Sequence, residues 1–465
     1  MDRNKKIIKN TIIFSIGNFG SKILTFVMVL IYTHFIDPSS LGYYDLVLTT
    51  VSLLQPIILM AFDEGIYRWL IDGNKKNRDT VISTCTKFVF VTSMISIIFI
   101  VLLNFHFHFQ YIIHIILYLL TNMIYQILLN AVRGMTENKT YAISGILNTF
   151  VMLVIELPAL IFFHIGVEAL FVAQWVSNAV TISFLFLKQK ILLSSLWEPF
   201  NKDIFKSVFN YSAPLVPNQV SWWIVNSSDR YIILFFLGTS FNGIYSVSNK
   251  FPTIVTTITG IVYFALQETI IKEYNSPDRD QFYSDTFKNY YVLLFSLISC
   301  GIPLTKIVIE LTVSTSYIES WRYMPFLYFS TVFSALSSFL GIGYQISKET
   351  SRSVRSTIAA AIVNIVVNVS MIKFVGLHAA SFSTFIAYLV LFLVRMQHSK
   401  KYFTLNIDMK SFIGMTVLTS VISALTFIGV VRINIVIAVA AIIISMYLNK
   451  SFIKTILSMR KKETT

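Results

Sequence analysis

Asn226–Lys250 reads NSSDRYIILFFLGTSFNGIYSVSNK. Two apolar segments meet at a short polar turn, Gly238–Asn242, and each carries a cation well inside hydrophobic sequence: Arg230 before the turn, Lys250 after it. At ~1.5 Å of rise per helical residue, each cation lies roughly 10 Å from its own end of the turn. If the segments are antiparallel helices in a bilayer, the two charges share one depth. Charge at that depth is costly and faces a protein interior or a water-filled cavity. The stretch predicts a membrane hairpin bordering a polar cavity.

Composition agrees. Hydrophobic residues make up 55% of the 465 residues and charged residues 13%, and mean hydropathy is +0.69. Soluble domains carry about 25% charged residues, so this is a multi-span membrane chain with no length left for a soluble catalytic domain. The net charge of +14 points to basic cytoplasmic loops rather than to nucleic acid. Cys85 and Cys300 both fall in apolar segments and read as buried thiols, neither bridged nor metal-bound. The opening MDRNKKIIKN precedes a long apolar run without a small-residue cleavage site, and is read as leading into a first span rather than as a cleaved signal.

Apolar runs predict fourteen spans, near 11–34, 41–62, 81–103, 109–130, 141–163, 168–187, 207–237, 243–266, 286–309, 321–346, 354–372, 378–398, 411–430 and 433–449. The seventh is over-long, and Pro214, Pro217 and the polar Asn226–Asp229 are expected to break or bend it. With the N-terminus inside, all of the 37 basic residues except Lys22, Arg230, Lys250, Lys306, Arg322, Lys373 and Arg432 fall on the cytoplasmic side. That bias predicts both termini in the cytoplasm.

The chain also repeats. FIDPSSLGYY (Phe35–Tyr44) aligns with FLGTSFNGIY (Phe236–Tyr245) at an offset of 201 residues, matching Phe35, Gly42 and Tyr44 to Phe236, Gly243 and Tyr245 without a gap. Both are outer turns, so the repeat is parallel. The organisation expected is a six-helix lobe over 1–190, a second over 191–402, and two extra transmembrane helices with a basic tail over 403–465. Two such lobes enclosing a central cavity is a transporter plan.

The stretch SDRYIILFFLGTSFNGIYSVSNK and the opening KNTIIFSIGNFGSKILTFVMVLIYTHFIDPSSLGYYDLVLT resemble the polysaccharide transporter family, the Wzx-type flippases of O-antigen and other oligosaccharides. These belong to the multidrug/oligosaccharidyl-lipid/polysaccharide exporter superfamily. The shared motifs are D-R-Y, L-G and G-x-Y, and topology and length extend the resemblance over nearly the whole chain. It implies an all-α integral protein of the bacterial cytoplasmic (inner) membrane that flips undecaprenyl-diphosphate-linked oligosaccharide units by alternating access. It also implies a cavity lined by cations that meet the diphosphate and acidic sugars. The partners implied are the polyprenyl-diphosphate-linked oligosaccharide, membrane lipids and other polysaccharide assembly proteins, and no nucleic acid.

Polar residues recur on single helix faces. Thr11, Ser15, Asn18, Lys22 and Thr25 form one stripe, Asp45, Thr49 and Ser52 a second, and Gln219, Trp222, Asn226 and Asp229/Arg230 a third. Ser246, Asn249/Lys250, Thr253 and Thr256/Thr257 form a fourth; Asn148 and Glu156 stand two turns apart before Pro158. Arg230, Lys250, Lys22, Asn226, Asn18 and Trp222 are the expected substrate-binding residues, with Trp222 and Trp223 placed to stack on sugar rings. Glu156, Asp229 and Asp45 are the expected carboxylates for a proton or sodium gradient. No other cofactor and no metal is expected. The competing reading is structural: hydroxyl and amide stripes glue helices together, and Arg230 or Lys250 could pair with Asp229 or Glu156. At the 201-residue offset Arg230 maps to Val29 and Lys250 to Thr49, so the scaffold repeats while its charges do not.

Other motifs carry little. GMTENKT (Gly134–Thr140) lacks the second glycine of a phosphate loop and joins two spans. His106, His108 and His114 cluster at an outer turn without an acidic or cysteine partner nearby in sequence. Lys306, Glu310, Glu319 and Arg322 frame another outer turn and are expected in solvent. The reading is therefore a two-lobed flippase without covalent chemistry. Its rivals are a lipid II flippase or a drug/cation exporter of the same superfamily, and then a membrane glycosyltransferase or polymerase, which would carry a long outer loop that this chain lacks.

Overall fold

The computed structural model describes residues 20, 22, 24–72, 77–347 and 349–450. Among them the chain is helical, without a strand. Residues 24–32 form α1. It is followed by α2 (Pro38–Ile58), α3 (Phe62–Asp72), α4 (Arg78–Phe107), α5 (Ile112–Gly134), α6 (Asn138–Ile161), α7 (Val167–Lys188), α8 (Lys190–Ser195) and α9 (Lys202–Ser212). Next come α10 (Val216–Ser227), α11 (Asp229–Phe236), α12 (Thr239–Lys272), α13 (Arg279–Thr312) and α14 (Met324–Ile346). The last four are α15 (Thr350–Val375), α16 (Leu377–Ser399), α17 (Met409–Ile428) and α18 (Val431–Leu448).

Among the described residues eleven helices are long and apolar enough to cross a membrane. Of the other three expected spans, the first lies partly outside the described residues. The eighth falls within α12, which at 34 residues is ample. The seventh breaks where its sequence said it would: a 3-10 turn at Ala213–Leu215 follows α9, and α10 stops at Ser227 before α11 begins. Ile98, Phe99 and Leu102 of α4 are each 61% exposed. A surface that apolar, on helices whose backbone bonds are all internal, suits a lipid phase and not water.

The chain divides into two compact units, Met1–Trp223 and Ile224–Thr465. The 190/191 boundary expected from the repeat concerns register; the packing boundary at 223/224 leaves α8 and α9 with the first unit. There Phe62 of α3, Phe88 of α4 and Phe205 of α9 stack with ring centroids 4.3–5.7 Å apart. Asn201 caps α9 by accepting from the backbone N–H groups of Asp203 and Ile204 at 2.9 and 3.0 Å.

The helix starts carry the repeat further than the sequence did. α2 begins at Pro38 and α12 at Thr239, α4 at Arg78 and α13 at Arg279, each pair 201 residues apart. α6 and α15 follow Glu137 and Glu349, which share one backbone conformation (φ −82°, ψ 57° and φ −88°, ψ 60°). α7 and α16 follow Gly166 (φ 72°, ψ −143°) and Gly376 (φ 59°, ψ −137°). This is a backbone region open in practice only to glycine.

In the second unit α14 is buried along most of its length. Two cations there depart from expectation. Lys306 is buried, not solvated: its Nζ donates to the carbonyls of Thr426 at 2.8 Å and Gly429 at 2.7 Å, and lies 4.1 Å from the Trp321 ring centroid. It holds the α17–α18 turn to α13, because the open carbonyls at the end of a helix attract a cation. Arg395, counted among the loop cations, is buried inside the bundle. Its guanidinium donates to the Ser337 carbonyl at 3.1 Å and to the Ser356 and Thr357 hydroxyls at 3.3 Å each. It fits only because Gly341 leaves room; a Cβ there would stand 2.9 Å from its Nη1.

Candidate functional site

The break between α10 and α11 builds the site. α10 ends at Ser227 and α11 restarts at Asp229, whose carboxylate sits in the first turn of the new helix, where the helix dipole favours an anion. Both carboxylate oxygens are engaged. Oδ1 accepts from Arg230 Nη1 at 2.8 Å, and Oδ2 accepts from the Tyr245 hydroxyl of α12 at 2.5 Å. Arg230 Nη1 also donates to the carbonyl of Asn226 at 2.9 Å, across the break, and the guanidinium carbon lies 5.4 Å from the Tyr245 ring centroid. Asn226 Oδ1 in turn accepts from the Tyr388 hydroxyl of α16 at 2.6 Å. Ser228 donates to Asn364 Oδ1 of α15 at 3.2 Å, and Asn364 Nδ2 donates to Thr384 Oγ1 of α16 at 3.3 Å. Five helices, α10, α11, α12, α15 and α16, thus meet at one charged knot.

Lys250 differs from Arg230. It lies on α12, half-buried, and among the described residues its ammonium has neither a hydrogen-bond nor an ion-pair partner. An ammonium inside a span without a protein partner is kept charged by water or by a ligand anion. The structure therefore joins Asn226, Asp229 and Arg230 into one network and leaves Lys250 outside it. On the aligned face Asn249 and Thr253 bond to carbonyls of their own helix.

The remaining expected residues lie elsewhere. Asn18 falls outside the described residues. Lys22 is exposed and Trp222 half-buried, and both have partners. Trp223 is spoken for: its indole N–H donates to the Thr49 carbonyl at 3.1 Å and the Ser52 hydroxyl at 3.0 Å, tying α10 to α2. Asp45 and Glu156, at 8% and 3% exposure, are buried in the first unit and both have partners. Next to Asp45, Tyr44 packs edge-on against Phe171 at 5.0 Å and accepts from Gln174 Nε2 at 2.9 Å. Asn148 donates to Asn178 at 3.0 Å and so glues α6 to α7.

His114 finds the acidic partner its sequence neighbourhood lacks. Its Nε2 meets Glu168 Oε1 at 3.0 Å, and Trp175 Nε1 donates to its Nδ1 at 3.3 Å, a packing contact between α5 and α7. Among the described residues no group of three His, Cys, Asp or Glu could hold a metal. Cys85 and Cys300 are free thiols. A pocket of about 460 Å³ opens between α14, α16 and α17, but Phe326, Phe329, Phe333, Phe385, Phe392 and Phe412 line it and it offers no charge.

Residues 7–271, more than half of the chain, match the family described as "Polysaccharide biosynthesis protein". The chain belongs to that family. The structure of this polysaccharide biosynthesis protein is similar to a lipid II flippase, MurJ, in an inward closed conformation, at 14% identity over 95% of this chain and 100% of that one, with a TM-score of 0.69. It is also similar to an inward-facing multidrug resistance MATE family transporter of the MOP superfamily, at 13% identity over 88% and 96% with a TM-score of 0.67. A Vibrio cholerae MATE transporter aligns at 12% identity over 85% and 96%, with a TM-score of 0.59. No curated protein matches by sequence. At these identities the structures establish the fold.

Sequence reading missed Tyr245, Tyr388 and Asn364 as members of the network. Tyr245 had a signal, because it is the tyrosine of the G-x-Y element repeated as Tyr44. Tyr388 and Asn364 had none beyond being polar in apolar runs.

Proposed function

We propose that this chain flips polyprenyl-diphosphate-linked oligosaccharides across a bacterial cytoplasmic membrane by alternating access, with Lys250 as the standing contact for the diphosphate. The observation that carries this reading is the partnerless ammonium of Lys250, next to Asn249 and one turn before Thr253, in a membrane protein of a polysaccharide biosynthesis family. Arg230, Asn226, Trp222, Lys22 and Asn18 complete the proposed lining, and the polyprenyl tail stays in lipid. A proton or sodium gradient acts through Glu156, Asp45 or Asp229. Both termini lie in the cytoplasm: a cysteine replacing Thr239 is labelled by an impermeant thiol reagent from outside, and one replacing Ser276 is not.

Vesicles carrying the purified protein and a labelled undecaprenyl-diphosphate oligosaccharide test the reading, with lipid II as a second cargo. Lys250→Ala is expected to lose at least about tenfold in flipping rate at unchanged abundance, with Lys250→Arg retaining most of it. Undiminished flipping by folded Lys250→Ala sinks the proposal. Preference for lipid II over the oligosaccharide would move the substrate to that rival. If Glu156→Gln abolishes the dependence of flipping on the proton gradient, Glu156 is the coupling group; if not, Asp229 or sodium takes its place.

A further inference from the structure

We infer that Asp229 is a built-in counter-anion, holding Arg230 in reserve until a substrate phosphate displaces it. The inference rests on the functional reading of the Lys250 face. Three observations on one helix pair support it. Arg230 is held by a carboxylate one residue away and by the carbonyl of Asn226, both through Nη1. Its side chain remains 11% exposed while that of Asp229 is 2% exposed, so the cation borders solvent and the anion does not. Asp229 keeps two stabilising contacts if Arg230 leaves: the Tyr245 hydroxyl on Oδ2 and its place in the first turn of α11.

The exchange is chemically natural. A guanidinium that accepts a carboxylate accepts a phosphate in the same geometry, and gains from the greater charge. With Arg230 paired, the face presents the net charge of Lys250 alone; with Arg230 released, two cations meet a diphosphate that carries at least two negative charges. The resting state then keeps Arg230 paired with its own carboxylate. The carboxylate also sets an upper limit on affinity, because it competes for Arg230 whenever cargo must leave. Asp229 is thus a positioning residue, acting on cargo through Arg230.

Binding of geranylgeranyl diphosphate to the purified full-length protein in detergent reads this directly, beside thermal unfolding to measure the folded fraction. Asp229→Asn is expected to bind at least about tenfold tighter, and Asp229→Asn/Arg230→Gln to lose that gain. Arg230→Gln alone keeps an N–H donor that can serve the Asp229 or Asn226 oxygen and is expected to bind about tenfold weaker. Wild-type affinity in folded Asp229→Asn overturns the inference, as does a gain that survives in the double variant. Should Asp229→Asn fail to fold, Arg230→Gln decides alone, with unchanged affinity overturning the inference. Lys250→Ala separates the two levels: if it binds as wild type, the functional reading fails; if it loses binding while Asp229→Asn gains nothing, only the counter-anion fails.

Discussion

Met28–Val29 and Asp229–Arg230 stand 201 residues apart, at one position of the repeat. In the first unit the pair is apolar and buried, at 1% and 0% exposure; in the second it is an ion pair joined to Tyr245. Tyr245 itself repeats Tyr44, yet Tyr44 accepts from a neutral amide, Gln174, whereas Tyr245 donates to a carboxylate. Thr49, buried, stands where Lys250 is half-buried and partnerless. The two units share helix starts and even the glycine that opens α7 and α16. They part company where charge is concerned. A buried ion pair contributes little net stability compared with a well-packed apolar pair, so packing alone gives no reason to depart from the Met–Val solution.

Making the second unit copy the first is the strongest way to break that contrast. Asp229→Met/Arg230→Val, combined with Tyr245→Phe so that no buried hydroxyl loses its acceptor, is expected to keep stability within about 1 kcal/mol, since replacing a whole buried pair by apolar residues is often neutral or favourable. Flipping of a labelled lipid-linked glycan by that variant should fall at least tenfold, roughly. Arg230→Ala alone should cost about 3–5 kcal/mol in thermal unfolding, because Asp229 is left without its cation. If the single variant were as stable as the combined one, the pairing would be incidental.

The repeated tyrosines give the next largest difference. Tyr245→Phe removes a hydrogen bond to an ionised group and should cost about 1.5–3 kcal/mol, against about 0.5–1.5 kcal/mol for Tyr44→Phe. Unfolding midpoints of the two variants, measured side by side, would expose equal losses if the carboxylate made no difference.

Where the units agree, equal effects are expected. Gly166→Ala and Gly376→Ala meet no atom within 4 Å of the new Cβ, so each should pay only backbone strain, about 1–3 kcal/mol. A clear inequality between them would show that the two helix starts are not equivalent.

The smallest effect concerns a carboxylate of the first unit outside the spans. Asp63 opens α3, and its Oδ1 is buried without a partner. Burial, and after it the adjacent Glu64, pushes its carboxyl up from 3.8 to about 6. The folded chain therefore holds this proton after the unfolded chain has released it. The resulting stabilisation is full below about pH 4 and is lost as pH rises to about 6. Asp63→Asn should flatten the melting temperature over that interval; an unchanged slope would assign it to other groups.

Much of this could be read from the chain in advance, for physical reasons. Apolar runs long enough to cross a bilayer announce themselves, and Pro214, Pro217 and Asn226–Asp229 marked the broken span because proline removes a donor and clustered polar groups end a helix. The Asp229–Arg230 pair was visible as an alternative because its members are neighbours. Lys306 and Arg395 were misjudged because their partners are carbonyls and hydroxyls from helices far along the chain. A backbone carbonyl leaves no trace in a list of side chains. For the same reason Tyr388 and Asn364 entered the site only with the packing of α15 and α16, and His114 found Glu168 only across α7.

Lys306 also sets a clock on manufacture. The carbonyl of Thr426 lies 120 residues downstream and that of Gly429 lies 123. At ~5–20 residues per second, roughly 6–24 s separate the emergence of the lysine from that of its acceptors. During that interval the nascent bundle holds a membrane cation whose early companions include Glu310, at 3.9 Å in the finished protein, and Trp321. The closing hairpin is then what completes the hydrogen bonding of Lys306. A chain halted before it leaves Lys306 at the flank of α13 without its two carbonyl acceptors.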